Sequence, residues 1–530
     1  MPIESASGVE SIRVLRGPQI VAFLILTISL FTAIVLVFSD LAVSSLWRNT
    51  FFTSALFAAL LTIHAILPLG RWLLLPLMRK PRRQYAQAGW RVAVVTTYVP
   101  ASEPLGMLDR TLRAMISIPY PHATWVLDEG DEEEVRDLCS SLGAMHFSRR
   151  RVPQYQQDAG PFQTGTKHGN YNAWLSAIGF RDYDIIVAFD PDHIPFPSFL
   201  DDVLGYFDDP KVGYVQAPQA YYNQRASFIA AGAAAETYEF NSTTQMASHR
   251  LGYPVVMGCH NAHRATALQQ VGGFAAHDAD DLLITTRYRS NGWRGVYVPR
   301  IVARGLTPVD WQNYLRQQRR WARSVLDLKF RSKDTLPEGT PLPTRLVHQL
   351  HGLIYLQPAF TFLGWQILAF SSLISGSIPA AALTVNPIHF LILAAVLTAC
   401  HFFRQQFYLD PRNEWGLHIR ARLLRIAKAP FLLLAFGDLF VRRRPKYELT
   451  SKVRAAPRVM VSLAFAPIAA LVLFAWHYGS THIRDFPWSL HALAIGWICF
   501  CLSLVLTEFL PFPEPYDDQR ASEIAARGAS

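Results

Sequence analysis

The chain has 530 residues, enough for about three to four average domains. An apolar share of 51% and a mean hydropathy of +0.14 exceed those of a wholly soluble enzyme and place much of the length in lipid. The net charge of +10 would suit nucleic acid, but the densest basic clusters adjoin apolar runs, where membrane lipids with anionic headgroups are the matching partner; nucleic acid is not expected.

Residues 18–38 form a charge-free apolar run, longer than the ~7–15-residue apolar region of a signal peptide, and read as a span. A second run, 51–78, is interrupted by Arg71 and closed by Arg79-Lys80-Pro81-Arg82-Arg83. That basic stop sets the next segment on the cytoplasmic face by the positive-inside rule. Residues 1–83 are thus expected to form an N-terminal membrane region with two spans.

From 84 to 343 the composition is that of a soluble domain. β-rich runs at 91–97, 124–128, 184–189, 212–216 and 295–298 alternate with helical patterns, which predicts an α/β fold with a mixed, mainly parallel sheet. Ligands of such sheets gather at the carboxyl ends of strands, where Asp128 and Asp190 fall.

Apolar runs return at 354–374, 388–403, 459–476 and 490–506. Thirteen Lys and Arg residues lie between 404 and 458, whereas the loops 375–387 and 477–487 carry only Arg484 and Asp485. Four further spans satisfy this asymmetry, with both termini inside. The segment 429–441 is apolar but short and contains Asp438, so it is expected to lie in the interface rather than cross, as is 346–355. Residues 344–510 make the C-terminal membrane region and 511–530 a polar cytoplasmic tail. Cys139, Cys259, Cys400, Cys499 and Cys501 have neither CxxC nor Cys/His ligand spacing, so neither a disulfide framework nor a structural zinc is indicated.

Asp190-Pro191-Asp192 follows an apolar strand. Alternation points its two carboxylates in similar directions, as Mg2+ or Mn2+ shared with substrate phosphates requires, and the adjacent His193 offers a further ligand. Asp128 ends another strand and reads as a nucleotide contact, while the acidic run behind it, 129–134, reads as a solvated helix start. Asp278, Asp280 and Asp281 precede an apolar helix. One of Asp278 and Asp280 is expected to cap it, and crowded like charges raise a carboxyl pKa toward that of a general base. Gln317 to Trp321 lie on a helical pattern beginning near Trp311; arginine there can neutralise a departing diphosphate and an aromatic face can stack on a sugar. Lys167-His168-Gly169-Asn170 offers a cation and a flexible turn for phosphate. His260 and His263, around Cys259, read as satisfied polar residues lining a cleft.

In order and spacing these residues resemble the family 2 glycosyltransferases, in the membrane-embedded, cellulose synthase-like branch, over about residues 91–452. Asp128 is similar to the family's first aspartate, Asp190-Pro191-Asp192 to its DxD, Asp281 to its TED-type base, and Gln317-x-x-Arg320-Trp321 to its QxxRW. Tyr447 to Lys452 resembles a gating loop. Asp280 stands where the family has glutamate, and Gly258-Cys259-His260-Asn261 replaces the acceptor-side FFCGT of cellulose synthases. The resemblance implies a GT-A fold, with Tyr98, Glu103, Asp128 and Lys167 at the nucleotide sugar and Asp190, Asp192 and His193 holding Mg2+ or Mn2+. It further implies Asp281 as base, Gln317, Arg320 and Trp321 at the diphosphate and acceptor, and Thr450 and Lys452 closing over the donor. The implied activity is inverting polymerisation of a nucleotide sugar, in all expectation a UDP-sugar, into a β-linked polysaccharide. The enzyme would sit in the inner membrane and pass the glycan across it, with accessory export subunits as partners. Transfer of one sugar to a lipid acceptor is the alternative, and a transport scaffold with a degenerate domain the third reading. No room for a fused cyclic-di-GMP module is expected after the last span.

Overall fold

A computed structural model of the chain describes residues 8–42, 50–100, 102–331, 353–441 and 459–511. Its central sheet has seven strands: β1 (Val92–Tyr98), β2 (Ala123–Asp128), β3 (Met145–Phe147), β4 (Ile185–Phe189), β5 (Val212–Gln216), β6 (Asn261–Arg264) and β7 (Arg294–Tyr297). The order is β7-β5-β6-β4-β1-β2-β3. Strands β4, β1, β2 and β3 run parallel, β7 is parallel to β5, and β6 is antiparallel to both its neighbours. The sheet is therefore mixed and mainly parallel. Strands β1, β4 and β5 are buried along their whole length. Covered on both faces, they read as near-continuous Val, Ile and Ala runs rather than as alternating ones. Val92, Val94, Val126 and Val187 pack in one core, Ala93, Val95, Leu127, Ile186 and Ala188 in the other, as the two-residue period of a strand dictates.

The helices used below are α1 (Pro18–Leu41), α2 (Phe51–Trp72), α3 (Lys167–Trp174), α4 (Phe228–Glu239), α5 (Asp280–Ser290), α6 (Trp311–Arg331), α7 (Leu353–Ser375), α8 (Pro387–Gln405), α9 (Ile419–Ala427), α10 (Ala429–Phe440), α11 (Met460–His482) and α12 (Trp488–Thr507). Among the described residues six helical segments are long and apolar enough to cross a membrane, two before the sheet and four after it. They coincide with the six expected runs. On α1, Ile20, Val21, Leu24, Ile25 and Ile28 are exposed to the surroundings, a continuous apolar face suited to lipid rather than water. Helix α10 has 12 residues, ~18 Å at 1.5 Å per residue, too short for a ~30 Å hydrocarbon layer.

The sheet is joined to the apolar helices through a shared core. Ile229 of α4 and Trp311, Tyr314 and Leu315 of α6 pack with Leu424 of α9, Phe431 of α10, Phe465 of α11 and Leu504 of α12. The Trp311 indole donates to Thr507 Oγ1 at 3.0 Å, and Arg319 on α6 pairs with Asp438 on α10 at 2.7 Å. On the other side Glu239, at the end of α4, bridges Arg71 of α2 and Arg404 of α8 at 3.4 and 2.7 Å. The basic stop after α2 is also anchored: Arg79–Pro81 pairs antiparallel with Ser11–Arg13 ahead of α1. The gating-like segment with Thr450 and Lys452 lies outside the described residues, as do most of the expected interfacial segment 346–355 and the tail beyond Pro511.

Candidate active site

The carboxyl ends of β4, β1 and β2 open on one side of the sheet, and three loops meet there. After β4, the Asp190-Pro191-Asp192 turn is closed by the His193 amide donating to the Asp190 carbonyl at 3.0 Å, and Thr111 Oγ1 donates to the Pro191 carbonyl at 2.7 Å. One ligand atom each from Asp190, Asp192 and His193 lie within 4.8 Å of one another. Asp192 and His193 are buried and Asp190 half-buried. Two hard carboxylate oxygens and an imidazole nitrogen at that spacing fit Mg2+ or Mn2+.

Lys167 is the first residue of α3, whose start is capped by Thr166 Oγ1 accepting from the Gly169 amide at 3.2 Å. The expected flexible turn is thus a helix N-terminus. Gly169 is there for closeness: a Cβ would sit 2.1 Å from the Gln163 carbonyl oxygen. The Asn170 amide donates to the Leu127 carbonyl at 3.0 Å and the Tyr171 hydroxyl to that of Val95 at 3.1 Å, pinning α3 to β2 and β1. Lys167 Nζ then reaches Asp190 Oδ1 and, at 2.5 Å, the Gly258 carbonyl. Burial works against its charge, but the Asp190 carboxylate, followed by Tyr171, Cys259 and Asp280, holds the ammonium protonated well above the ordinary lysine range.

Asp280 and Asp281 open α5. The helix is preceded by Ala279 with no side-chain cap, so neither Asp278 nor Asp280 takes the expected capping role. Asp280 Oδ1 instead accepts from the Asp281 amide at 3.0 Å and Asp281 Oδ1 from the Leu282 amide at 2.9 Å, because acids in a first turn find its unpaired N–H groups. Burial, and after it the Asp281 charge, raises Asp280 to about 7; Asp281 is raised too, again chiefly by burial, while Lys167 opposes both shifts.

Asp128 is fully buried at the end of β2. Its carboxylate accepts from the Gly130 and Glu132 amides at 2.9 and 2.7 Å and bonds His146 Nε2 at 3.1 Å, so in this state it organises the strand-end loop. Glu129 is not the solvated acid expected: both its oxygens take the buried Arg149 guanidinium, at 2.9 and 3.0 Å. Tyr98 and Glu103 close on each other past β1. The Tyr98 hydroxyl donates to the Glu103 carbonyl at 3.0 Å and the Val99 amide to Glu103 Oε2 at 2.7 Å.

Gln317, Arg320 and Trp321 are half-buried on α6. Further along that helix Asp327 pairs with His277 at 3.3 Å, which ties α6 to the segment leading into Asp280. Trp321 lies under about two turns from that tie.

Residues 91–324 match the family described as Glycosyltransferase like family 2. The sheet and its site are a family 2 glycosyltransferase domain. Among curated relatives, cellulose synthase 2 of Novacetimonas hansenii is 26% identical over 318 residues, 56% of this chain and 19% of its own length. The cellulose synthase catalytic subunit [UDP-forming] of Xanthomonas axonopodis pv. citri is 28% identical over 305 residues, 55% of this chain and 40% of its own. The chain thus spans between a fifth and two fifths of the length of these relatives, and it is cellulose synthase-like in this domain. Among solved structures, a mannosyltransferase from Pyrobaculum calidifontis, in complex with GDP-Man and Mn2+, superposes with a TM-score of 0.52 at 18% identity, over 74% of this chain and all of that one. That likeness shows the fold, a GT-A-like α/β domain. With six helices of spanning length, the chain is a multi-pass membrane protein.

Sequence reasoning missed parts of this glycosyltransferase site. His260 and Cys259 lie within 4.8 Å of His193, in a buried group on the turn before β6. The spacing of 66 and 67 residues from His193 carries no ligand pattern, and only the antiparallel insertion of β6 beside β4 brings them together. His263, by contrast, is the satisfied buried residue expected, bonded to the Tyr288 hydroxyl and to Asn261 Oδ1 at 2.9 Å each. Glu236 on α4 takes Lys428 at 2.8 Å and the Tyr314 hydroxyl at 2.7 Å, and Lys428 also bonds Gln318 at 2.8 Å. This buried polar knot sits at the junction with the apolar helices and had no signal in the sequence beyond its polar residues.

Proposed function

We propose that the chain is an inverting, metal-dependent glycosyltransferase that builds a β-linked polysaccharide from a nucleotide sugar, a UDP-sugar by analogy with its UDP-forming Xanthomonas relative, and passes it through its own membrane helices. The observation that carries this reading is the meeting of Asp190, Asp192, His193 and Lys167 at one strand end with the Asp280–Asp281 pair inside the same electrostatic neighbourhood.

In this reading Asp190, Asp192 and His193 hold one Mg2+ or Mn2+, which when bound supplies a Lewis acid for the diphosphate. Lys167 and Arg320 add cationic charge to the leaving group. Asp128, with Tyr98 and Glu103, shapes the cleft for the nucleoside. Asp281 takes the proton of the acceptor hydroxyl; that oxygen forms the new bond to the anomeric carbon while the bond to the diphosphate breaks on the opposite face, inverting the centre and releasing the nucleoside diphosphate. Gln317 and Trp321 carry the acceptor sugar. The domain occupies residues 84–343 on the cytoplasmic side of the inner membrane, on the side of the basic stop after α2 and of the Arg-rich stretch around α9. Thr450 and Lys452 close over the donor, and accessory export subunits receive the polymer.

The test is full-length protein in lipid nanodiscs with Mn2+ and a panel of nucleotide sugars, scored for released nucleoside diphosphate and product mass. High-mass product sensitive to β-glycosidases supports the reading. A single sugar on lipid replaces it with one-step transfer, and no release from any donor contradicts both.

A further inference from the structure

We propose that His260 is a positioning residue for His193: it fixes which nitrogen of His193 carries hydrogen and where the other one points. The inference rests on the metal role proposed above for Asp190, Asp192 and His193, and deepens it.

The argument follows the hydrogens. His260 Nδ1 lies 2.8 Å from the Pro218 carbonyl oxygen, which can only accept, so Nδ1 carries the hydrogen. The ring is wholly buried and its two nitrogens meet only the Pro218 carbonyl and His193, neither of them an anion, so it is neutral and the lone pair is on Nε2. That nitrogen is 2.6 Å from His193 Nδ1, which must therefore donate. With hydrogen on Nδ1, the neutral His193 ring has its lone pair on Nε2. Nε2 is the nitrogen on the carboxylate side, 3.8 Å from Asp192 Oδ2. A metal-bound histidine whose second nitrogen donates to a fixed acceptor is the usual way a protein sets ring direction and basicity; here the acceptor is a second histidine.

Two further features hold this chain of rings in place. Gly305 backs the His193 ring so closely that a Cβ would fall 2.2 Å from Nε2 and 2.3 Å from Cε1, so the ring plane is set by the backbone behind it. His260 sits at φ +57°, a left-handed conformation that strains a residue bearing a side chain. It is kept there by its amide donating to the Ala188 carbonyl at 3.1 Å and its own carbonyl accepting from the Ala217 amide at 2.9 Å. Cys259 Sγ, 3.4 Å from His193 Nδ1 and accepting from Gln219 Nε2 at 3.0 Å, fills the remaining side.

An imidazole ligand favours Mn2+ over the harder Mg2+, so the role has readouts other than turnover. The experiment uses full-length protein in nanodiscs with UDP, titrated with Mn2+ and with Mg2+ by calorimetry, and nitrogen couplings of bound Mn2+ measured by electron spin-echo envelope modulation. Wild type should show one directly bound nitrogen. His260→Phe should lose that coupling and weaken Mn2+ binding ~10–100-fold, with a smaller change for Mg2+. His260→Gln, whose amide oxygen can accept from Nδ1–H, should keep the coupling. Gly305→Ala, which displaces the ring from behind, should lose it again; the Gln and Ala variants decide the matter if the Phe variant does not fold. Unchanged Mn2+ affinity and coupling in His260→Phe, or in Gly305→Ala where that substitution must serve, would overturn the proposal, as would Mn2+ bound by wild type without a nitrogen. If wild type binds no Mn2+, or Asp192→Asn binds it equally well, the metal reading itself fails and takes this inference with it.

Discussion

The ammonium of Lys167 is bonded to the Asp190 carboxylate, so the first acid of the Asp190-Pro191-Asp192 turn has a cation beside it. The same ammonium is held by the Gly258 carbonyl at 2.5 Å, on the turn that carries Cys259 and His260. Lys167 therefore joins the Asp190-Pro191-Asp192 turn to the Gly258–Asn261 loop. In the proposed reading Asp190 would help hold the metal and Lys167 would add its charge to the diphosphate.

Lys167→Met tests that role. Loss of one charged hydrogen bond is worth ~1.5–3 kcal/mol, so UDP affinity in the presence of Mn2+ should fall by ~10-fold or more. Calorimetry checks it; affinity within twofold of wild type would remove Lys167 from the diphosphate site.

The raised pKa of the Asp280–Asp281 pair sets a pH limb. The base must be unprotonated, so kcat/KM should rise with pH on a limb set by Asp281, whose carboxyl burial holds above the ordinary carboxylate range. Asp280→Asn leaves in place the burial that raises Asp281, so the limb should persist in that variant. A pH–rate profile decides this; a limb that vanishes in Asp280→Asn would assign it to Asp280 instead.

The placement of several candidate residues was legible in the sequence, and the reason is local. Asp128, Asp190, Asp192 and Asp281 stand at strand ends or a helix start, where short-range pattern and the placement of ligands at carboxyl ends agree. The five expected β runs became β1, β2, β4, β5 and β7 within about two residues because buried parallel strands are continuous apolar runs. Strand β6 was not legible: Asn261-Ala262-His263-Arg264 carries a half-polar sequence, and it is a strand because Asn261 and His263 satisfy each other and Tyr288 in the core. The helix caps and the Glu129–Arg149 pair were misread for the same reason. Their partners lie 20 or more residues away or in the backbone, where no periodicity reports them.

Arg149 organises the floor of the cleft. Fully buried, it pairs with Glu129 through two nitrogens and donates to the Phe162 and Gln163 carbonyls at 3.1 and 3.0 Å, tying the loop after β2 to the loop before α3. Arg149→Met takes the paired cation from Glu129, leaving the carboxylate only the Gly165 amide, and should destabilise the domain by ~3–5 kcal/mol. Denaturant unfolding of the solubilised protein measures it; a loss below ~1 kcal/mol would show the pair to be dispensable.

Among the buried histidines outside the metal group, His249 and His263 predict acid sensitivity. Burial lowers His249 to about 4 and His263 to about 3. Unfolded, each takes a proton near pH ~6.5, so the unfolded state binds more protons below that value. Stability should be full above pH ~6.5 and fall by ~1.4 kcal/mol per pH unit per histidine as pH drops toward their folded values. Unfolding at pH 7 and pH 5 checks the slope, and His263→Gln should flatten it. An equal slope in the variant would assign the sensitivity elsewhere.

The central claim is that Asp281 removes the acceptor proton in a cleft whose donor-binding parts are separate from it. The direct measurement is nucleoside diphosphate release by Asp281→Asn beside its calorimetric affinity for UDP with Mn2+, both against wild type and with the donor that wild type turns over. The account predicts a rate lowered by ~100-fold or more with UDP affinity within about threefold. Full turnover by the variant, or a parallel collapse of rate and UDP binding, would contradict it.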